Sequence, residues 1–204
     1  MLNKARASEV MRRLGTMGLS QALICDPLSI WYLTGYYTEP YERFLALYLT
    51  GSCNKAEGVL FANYLFPDAT TAADRLVLYS DADDPIALVA GETNHGQTLG
   101  VDKELTARWL LPLMEARAGS GFALASGAVD AARSIKSAEE QDLMREASRV
   151  NDKAMAWLTT QVHVGATERE IASKLLDEYR RLGADDHSFE PIVSFGVNAA
   201  DPHH

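Results

Sequence analysis

The chain has 204 residues, 47% of them apolar and 23% charged, a balance that excludes disorder, collagen and a disulfide scaffold. That length corresponds to about 1.4 domains of usual size, enough to bury roughly 70% of the unfolded surface. Net charge is −9. Residues 1–133 carry 11 basic and 15 acidic groups and the rest 8 and 13, so the nets are −4 and −5. Neither half is a basic nucleic-acid surface or a polybasic lipid patch.

Residues 3–17 carry Ala7, Val10, Met11, Leu14 and Met17 at three-and-four spacing, which predicts an amphipathic helix closed by Gly18. The run Gln21–Cys25 has the length of a buried strand. Asp26-Pro27 then suits a helix start, with Asp as N-cap and Pro in the first turn, and Gly35 its stop. Further strands are predicted at Phe44–Leu49, Val59–Phe61 (after a turn across 51–58), Leu76–Tyr79, Leu99–Val101 and Phe122–Ala125. A helix over 105–116 contains Pro112, which predicts a kink or a late start. Strands alternating with helical segments argue for an α/β domain built on one mostly buried sheet.

The texture changes near Ala132–Lys136, where the domain boundary is expected, giving domains 1–133 and 134–204. Ser137-Ala138-Glu139-Glu140 is a capping box, and Leu143, Ala147, Val150, Ala154 and Leu158 form one face of the helix behind it. Gly165 separates it from a second box, Thr167–Glu170, whose helix carries Ile171, Leu175, Tyr179 and Leu182 and stops at Gly183. A strand is predicted at Pro191–Val193. One short strand is too little to cover both apolar faces, so they are expected to be covered by the first domain or a second copy.

Cys25 and Cys53 form neither a CxxC nor a zinc pattern and read as reduced, half-buried thiols. No signal-type apolar block opens the chain, and its longest apolar runs are about a third of a membrane span. A cytoplasmic protein is expected. Asp185-Asp186-His187 follows a helix stop and reads as a solvated loop. No nucleophile elbow and no phosphate loop is present. The segment Tyr36–Arg43 packs three tyrosines and three charges between a helix and a strand. It reads either as an amphipathic loop with an Arg–carboxylate pair or as a contact site, Tyr and Arg being enriched in contact hot spots.

Three stretches together resemble the creatinase–prolidase ("pita-bread") metallopeptidase family. Asp26-Pro27-Leu28-Ser29-Ile30-Trp31-Tyr32-Leu33-Thr34-Gly35 resembles its N-domain signature. Glu39-Pro40-Tyr41-Glu42-Arg43 is similar to a loop of bacterial Xaa-Pro dipeptidases, usually Asp-Pro-His-Glu-Arg. Arg133–Ser137 with Glu139-Glu140 and Met144–Ala147, then Phe189–Val193, Gly196, Asn198-Ala199 and Pro202-His203, resemble the opening of its catalytic domain.

The resemblance implies an α/β creatinase-type N-terminal domain: a mixed six-stranded sheet flanked by helices. The first helical hairpin and strand of an incomplete pita-bread domain would follow. It implies a cytoplasmic homodimer hydrolysing short peptides with proline at the second position. Two divalent ions of Mn, Co or Zn type, held by two Asp, two Glu and one His, would activate the attacking water. Those ligands lie after the Pro-His turn at which this sequence stops. No catalytic residue, metal ligand or cofactor is therefore expected in this chain, and the chain alone is expected to be inactive. His203 matches a histidine lining the substrate site. Glu39 and Tyr41 match loop positions that reach the partner subunit's site, with Glu in place of the usual Asp and Tyr in place of the usual His. A non-catalytic dimerisation module and a creatinase-type amidinohydrolase are the alternatives.

Overall fold

The first helix, α1 (Lys4–Thr16), starts where the Asn3 side chain accepts the Arg6 amide at 3.1 Å. Ala7, Val10, Met11 and Leu14 are buried as their spacing predicts, while Met17, already at the C-cap, is exposed. The structure is a computed structural model describing residues 1–66, 69 and 72–202. It divides into two units, Met1–Ile135 and Lys136–His204.

In the first unit, six strands are ordered β4-β3-β2-β1-β5-β6. They are β1 (Gln21–Ile24), β2 (Ala46–Ser52), β3 (Lys55–Asn63), β4 (Arg75–Tyr79), β5 (Leu99–Val101) and β6 (Phe122–Leu124). β1–β2 and β2–β3 pair antiparallel, whereas β3–β4, β1–β5 and β5–β6 pair parallel, so the sheet is mixed. The turn expected across 51–58 is shorter. β2 runs to Ser52, and only Cys53 and Asn54 separate it from β3. Gly51 permits this with φ +106°, because a Cβ there would lie 2.1 Å from the Lys55 carbonyl oxygen.

Alternate side chains feed two cores. Leu47, Leu49 and Leu60 face α1, α2 (Pro27–Thr34) and α5 (Ser126–Ser134). Tyr48, Phe44 and Phe61 face α3 (Pro85–Glu92) and α4 (Ala107–Glu115). Helices therefore cover both faces, as an α/β sheet requires. Each fully buried Leu or Phe here contributes about 1.5–3 kcal/mol. Pro112 sits inside α4 without ending it. Of the two cysteines, Cys25 is half-buried, but Cys53 is exposed because it falls in the β2–β3 turn.

In the second unit the capping box closes reciprocally at the start of α6 (Ala138–Leu158). The Glu140 amide donates to Ser137 Oγ at 3.2 Å, and the Ser137 amide donates to the Glu140 carboxylate at 2.8 Å. Thr167 caps α7 (Glu168–Arg181) by accepting the Glu170 amide at 3.2 Å, and the Glu170 carboxylate pairs with Lys174 at 2.8 Å. Ala154, Leu158, Ile171 and Leu175 pack together at the turn end of the hairpin. Outside that cluster, Leu143 of the α6 face is 67% exposed in the single chain. Pro191–Val193, expected as a strand, takes no sheet partner among the described residues. The described part of this unit offers no second strand to pair its amides and carbonyls. A 3-10 turn, Gly196–Ala200, follows. Among the described residues no helix is long and apolar enough to cross a membrane.

Candidate functional site

The connection from α2 to β2 carries two of the three residues singled out in the sequence. Its entrance is set by α2. The Asp26 carboxylate accepts the Leu28 and Ser29 amides at 3.2 and 3.0 Å, and Arg133 reaches it at 3.3 Å. Gly35 ends the helix in the left-handed region (φ 73°), its amide bonded to the Trp31 carbonyl at 2.7 Å. Tyr37 then packs edge-on against Trp31, ring centroids 6.2 Å apart, with both rings about half exposed.

The exit is tied by charge. The Arg43 guanidinium forks onto Asp81 beyond β4, Nε to Oδ1 at 3.0 Å and Nη2 to Oδ2 at 2.9 Å. Asp81 Oδ1 also accepts Asn63 Nδ2 at 2.9 Å, from the buried end of β3. Arg43 holds the Asp81 carboxyl below its ordinary range, and the carboxylate in turn raises Arg43. Arg43 also pairs with the neighbouring Glu42, and Arg108 of α4 donates to the Glu42 carbonyl at 3.2 Å. One residue further on, the Phe44 carbonyl accepts the buried Tyr79 hydroxyl at 2.5 Å. Burial pushes that phenol up to about 12.

Between these anchors the backbone turns tightly. The Arg43 amide bonds the Pro40 carbonyl at 2.9 Å, and Tyr41 adopts φ 50°, a conformation uncommon for a bulky residue. Tyr41 is 82% exposed, and Glu39, also exposed, receives the Tyr37 hydroxyl at 3.4 Å. The Arg–carboxylate pair read as one possibility is present. The loop offers solvent the phenols of Tyr37 and Tyr41 and the carboxylates of Glu39 and Glu42.

The third singled-out residue, His203, lies outside the described residues. The turn leading to it is described, and it rests on a residue that sequence reasoning passed over. Glu168, at the first position of α7, accepts the Phe195 amide at 2.7 Å and Asn198 Nδ2 at 3.0 Å on each oxygen. Its place beside a cap residue drew it into the capping pattern. A partner 27–30 positions away leaves no local signal.

His187 contacts Asp186 and Glu190 at 2.7 and 3.3 Å. Even so, among the described residues no group of three or more His, Cys, Asp or Glu side chains could hold a metal ion. These residues do not fit a metal centre, and no metal-dependent step is assigned to them. The other thiol near a polar cluster, Cys25, has its pKa pushed well up by burial and by Asp102, which leaves it a poor nucleophile.

The Creatinase/Prolidase N-terminal domain family matches residues 6–135, well over half of the chain. The chain belongs to the creatinase/prolidase family. Metallopeptidase family M24 matches residues 142–204. A dipeptidase structure from Pyrococcus horikoshii superposes with a TM-score of 0.82 at 29% identity, covering 98% of this chain and 56% of that one. A recombinant prolidase from Thermococcus sibiricus superposes with a TM-score of 0.87 at 26% identity, covering 100% and 57%. An uncharacterized peptidase of Staphylococcus haemolyticus is 27% identical over 98% of this chain and 56% of its own length. The chain thus spans about half the length of the curated relatives it matches. Family membership establishes the creatinase-type α/β fold with its mixed six-stranded sheet, and places the second unit at the start of an M24 domain.

Proposed function

We propose that this chain is the N-terminal part of a metal-dependent peptidase, a cytoplasmic homodimer that hydrolyses short peptides with proline at the second position. The observation that carries this reading is the superposition of the whole chain on a structure described as a prolidase, with a TM-score of 0.87. Division into domains 1–133 and 134–204 belongs to the same proposal. The divalent ions would supply the hydrolytic chemistry. In this reading the chain's own residues bind and shape. Glu39 and Tyr41, on the loop tied by Arg43 and Asp81, limit substrate size at the partner subunit's site, and His203 lines the substrate site. The 204 residues alone are inactive.

The test compares two proteins, the full-length protein and the 204-residue chain, each with Mn, Co or Zn ions and with Xaa-Pro dipeptides, longer Xaa-Pro peptides and creatine. Cleavage of Xaa-Pro peptides by the full-length protein alone is the expected result. Cleavage by the 204-residue chain would overturn the assignment of its residues. Hydrolysis of creatine instead would favour the amidinohydrolase reading, and no hydrolysis of any substrate would favour a non-catalytic module. Tyr41→His, which restores the residue usual in the resembling loop, should raise kcat/KM for dipeptides relative to longer peptides.

A further inference from the structure

One cavity of the first unit shares no residue with the Tyr36–Arg43 loop or its ties. It holds about 490 Å³ between the end of α3 and the sheet, a size within the range of small-molecule sites. Strand register builds its floor. Tyr48 pairs with Val59, Val59 with Arg75, and Thr50 with Glu57, so three strands send these side chains to one face. Tyr48 and Val59 are buried and make the base apolar. Thr93 and Asn94, just past α3, stand at its edge. The fully buried Gln21 of β1 locks floor and edge together. Its Oε1 accepts the Tyr48 hydroxyl at 2.7 Å and the Asn94 amide at 2.9 Å, and its Nε2 donates to the Asn94 carbonyl at 2.7 Å. The cavity is therefore formed before any ligand arrives.

Its charges are of both signs. The carboxylates of Glu57 and Glu92 and the guanidinium of Arg75 line it, and Arg75 pairs with Glu92. The C-terminal end of α3 adds the negative pole of a helix dipole. This excess of negative charge disfavours a simple anion, while Arg75 offers a fork for one carboxylate. We propose that the cavity binds a small zwitterion carrying an ammonium group and a carboxylate, as in a free amino acid or a dipeptide. The ammonium meets Glu57 and Glu92, the carboxylate takes the Arg75 fork, and an apolar side chain rests on Tyr48 and Val59. The ligand exchanges one ion pair for two charge-assisted contacts, so neither Arg75 nor Glu92 loses an opposite charge. The proposal does not depend on the peptidase reading.

Amide NMR of the full-length protein tests it, by titration with L-leucine and with Gly-Leu, a dipeptide without proline. The Thr50 and Asn94 amides should shift with both, and the tighter of the two names the source. N-acetyl-leucine lacks the ammonium and leucinamide lacks the carboxylate, so each should bind about tenfold more weakly than leucine. Arg75→Met should weaken leucine about tenfold, and Arg75→Lys, which keeps the charge without the fork, should fall between it and wild type. Glu57→Gln alters an exposed side chain and is the variant least able to disturb folding; it should weaken leucine about threefold. Unchanged amide shifts across the rest of the sheet report that each variant is folded. No shift at Thr50 and Asn94 with either ligand would overturn the proposal. So would equal binding of leucine and its two blocked analogues, or leucine affinity unaltered in both Arg75→Met and Glu57→Gln.

Discussion

The two units of this chain are stabilised in different ways. In the first, a sheet six strands wide is covered on both faces, and β1, β2 and β3 send alternate residues into separate cores. In the second, two capped helices touch at their turn end through Ala154, Leu158, Ile171 and Leu175, and most of α6 before Ala154 faces solvent. Non-local pairing builds the first, and local signals with one small contact build the second. The helices of the second unit carry their start and stop signals within a few residues, whereas the sheet strands, apart from the β2–β3 hairpin, depend on partners far away in the chain.

Mutations can break this comparison or sharpen it. Phe61 is fully buried in β3, and Phe61→Ala should cost about 3–5 kcal/mol in chemical denaturation of the first unit, since the two-sided core collapses poorly around a cavity. Ile171→Ala in the hairpin should cost about 2 kcal/mol, the low end for such a truncation, because the small contact has room to relax. A loss as large as that of Phe61→Ala would mean that the second unit has a core as constrained as the first. Ser137→Ala removes the cap at the start of α6 and should cost about 1 kcal/mol of helix stability, read as faster amide exchange over the first turn. Leu143→Lys, at a site 67% exposed, should change stability by less than about 0.5 kcal/mol. A larger loss from Leu143→Lys in the 204-residue chain would show that this face is covered in solution.

What could be read beforehand follows the same division. Helix α6 and its Ser137–Glu140 box, the Asp26 cap, and the Gly35 and Gly183 stops were legible because their partners lie within a few residues. The six strands were legible as apolar runs, though not their order, because a run does not state its neighbour. Helices α3 and α5 were missed. Helix α3 opens with Asp84-Pro85, the same start as Asp26-Pro27, but spans only eight residues, and α5 begins without any side-chain cap bond. The predicted strand at Pro191–Val193 failed for want of a pairing partner, which no property of those three residues could reveal. At the candidate site the loop itself stood out by composition. Its tie from Arg43 to Asp81 spans 38 positions, and the Glu168 tether spans 27–30, so both emerge only in the folded chain.

The short β2–β3 turn has a practical consequence. It leaves Cys53 exposed at the end of the β2–β3 hairpin, while burial pushes the pKa of the half-buried Cys25 thiol up. Maleimide reagents attack the thiolate, so a dye or spin label added near neutral pH will attach at Cys53 ahead of Cys25. The wild-type chain thus comes with one addressable handle, from which distances to a second copy or to an added peptide can be read without engineering a new cysteine.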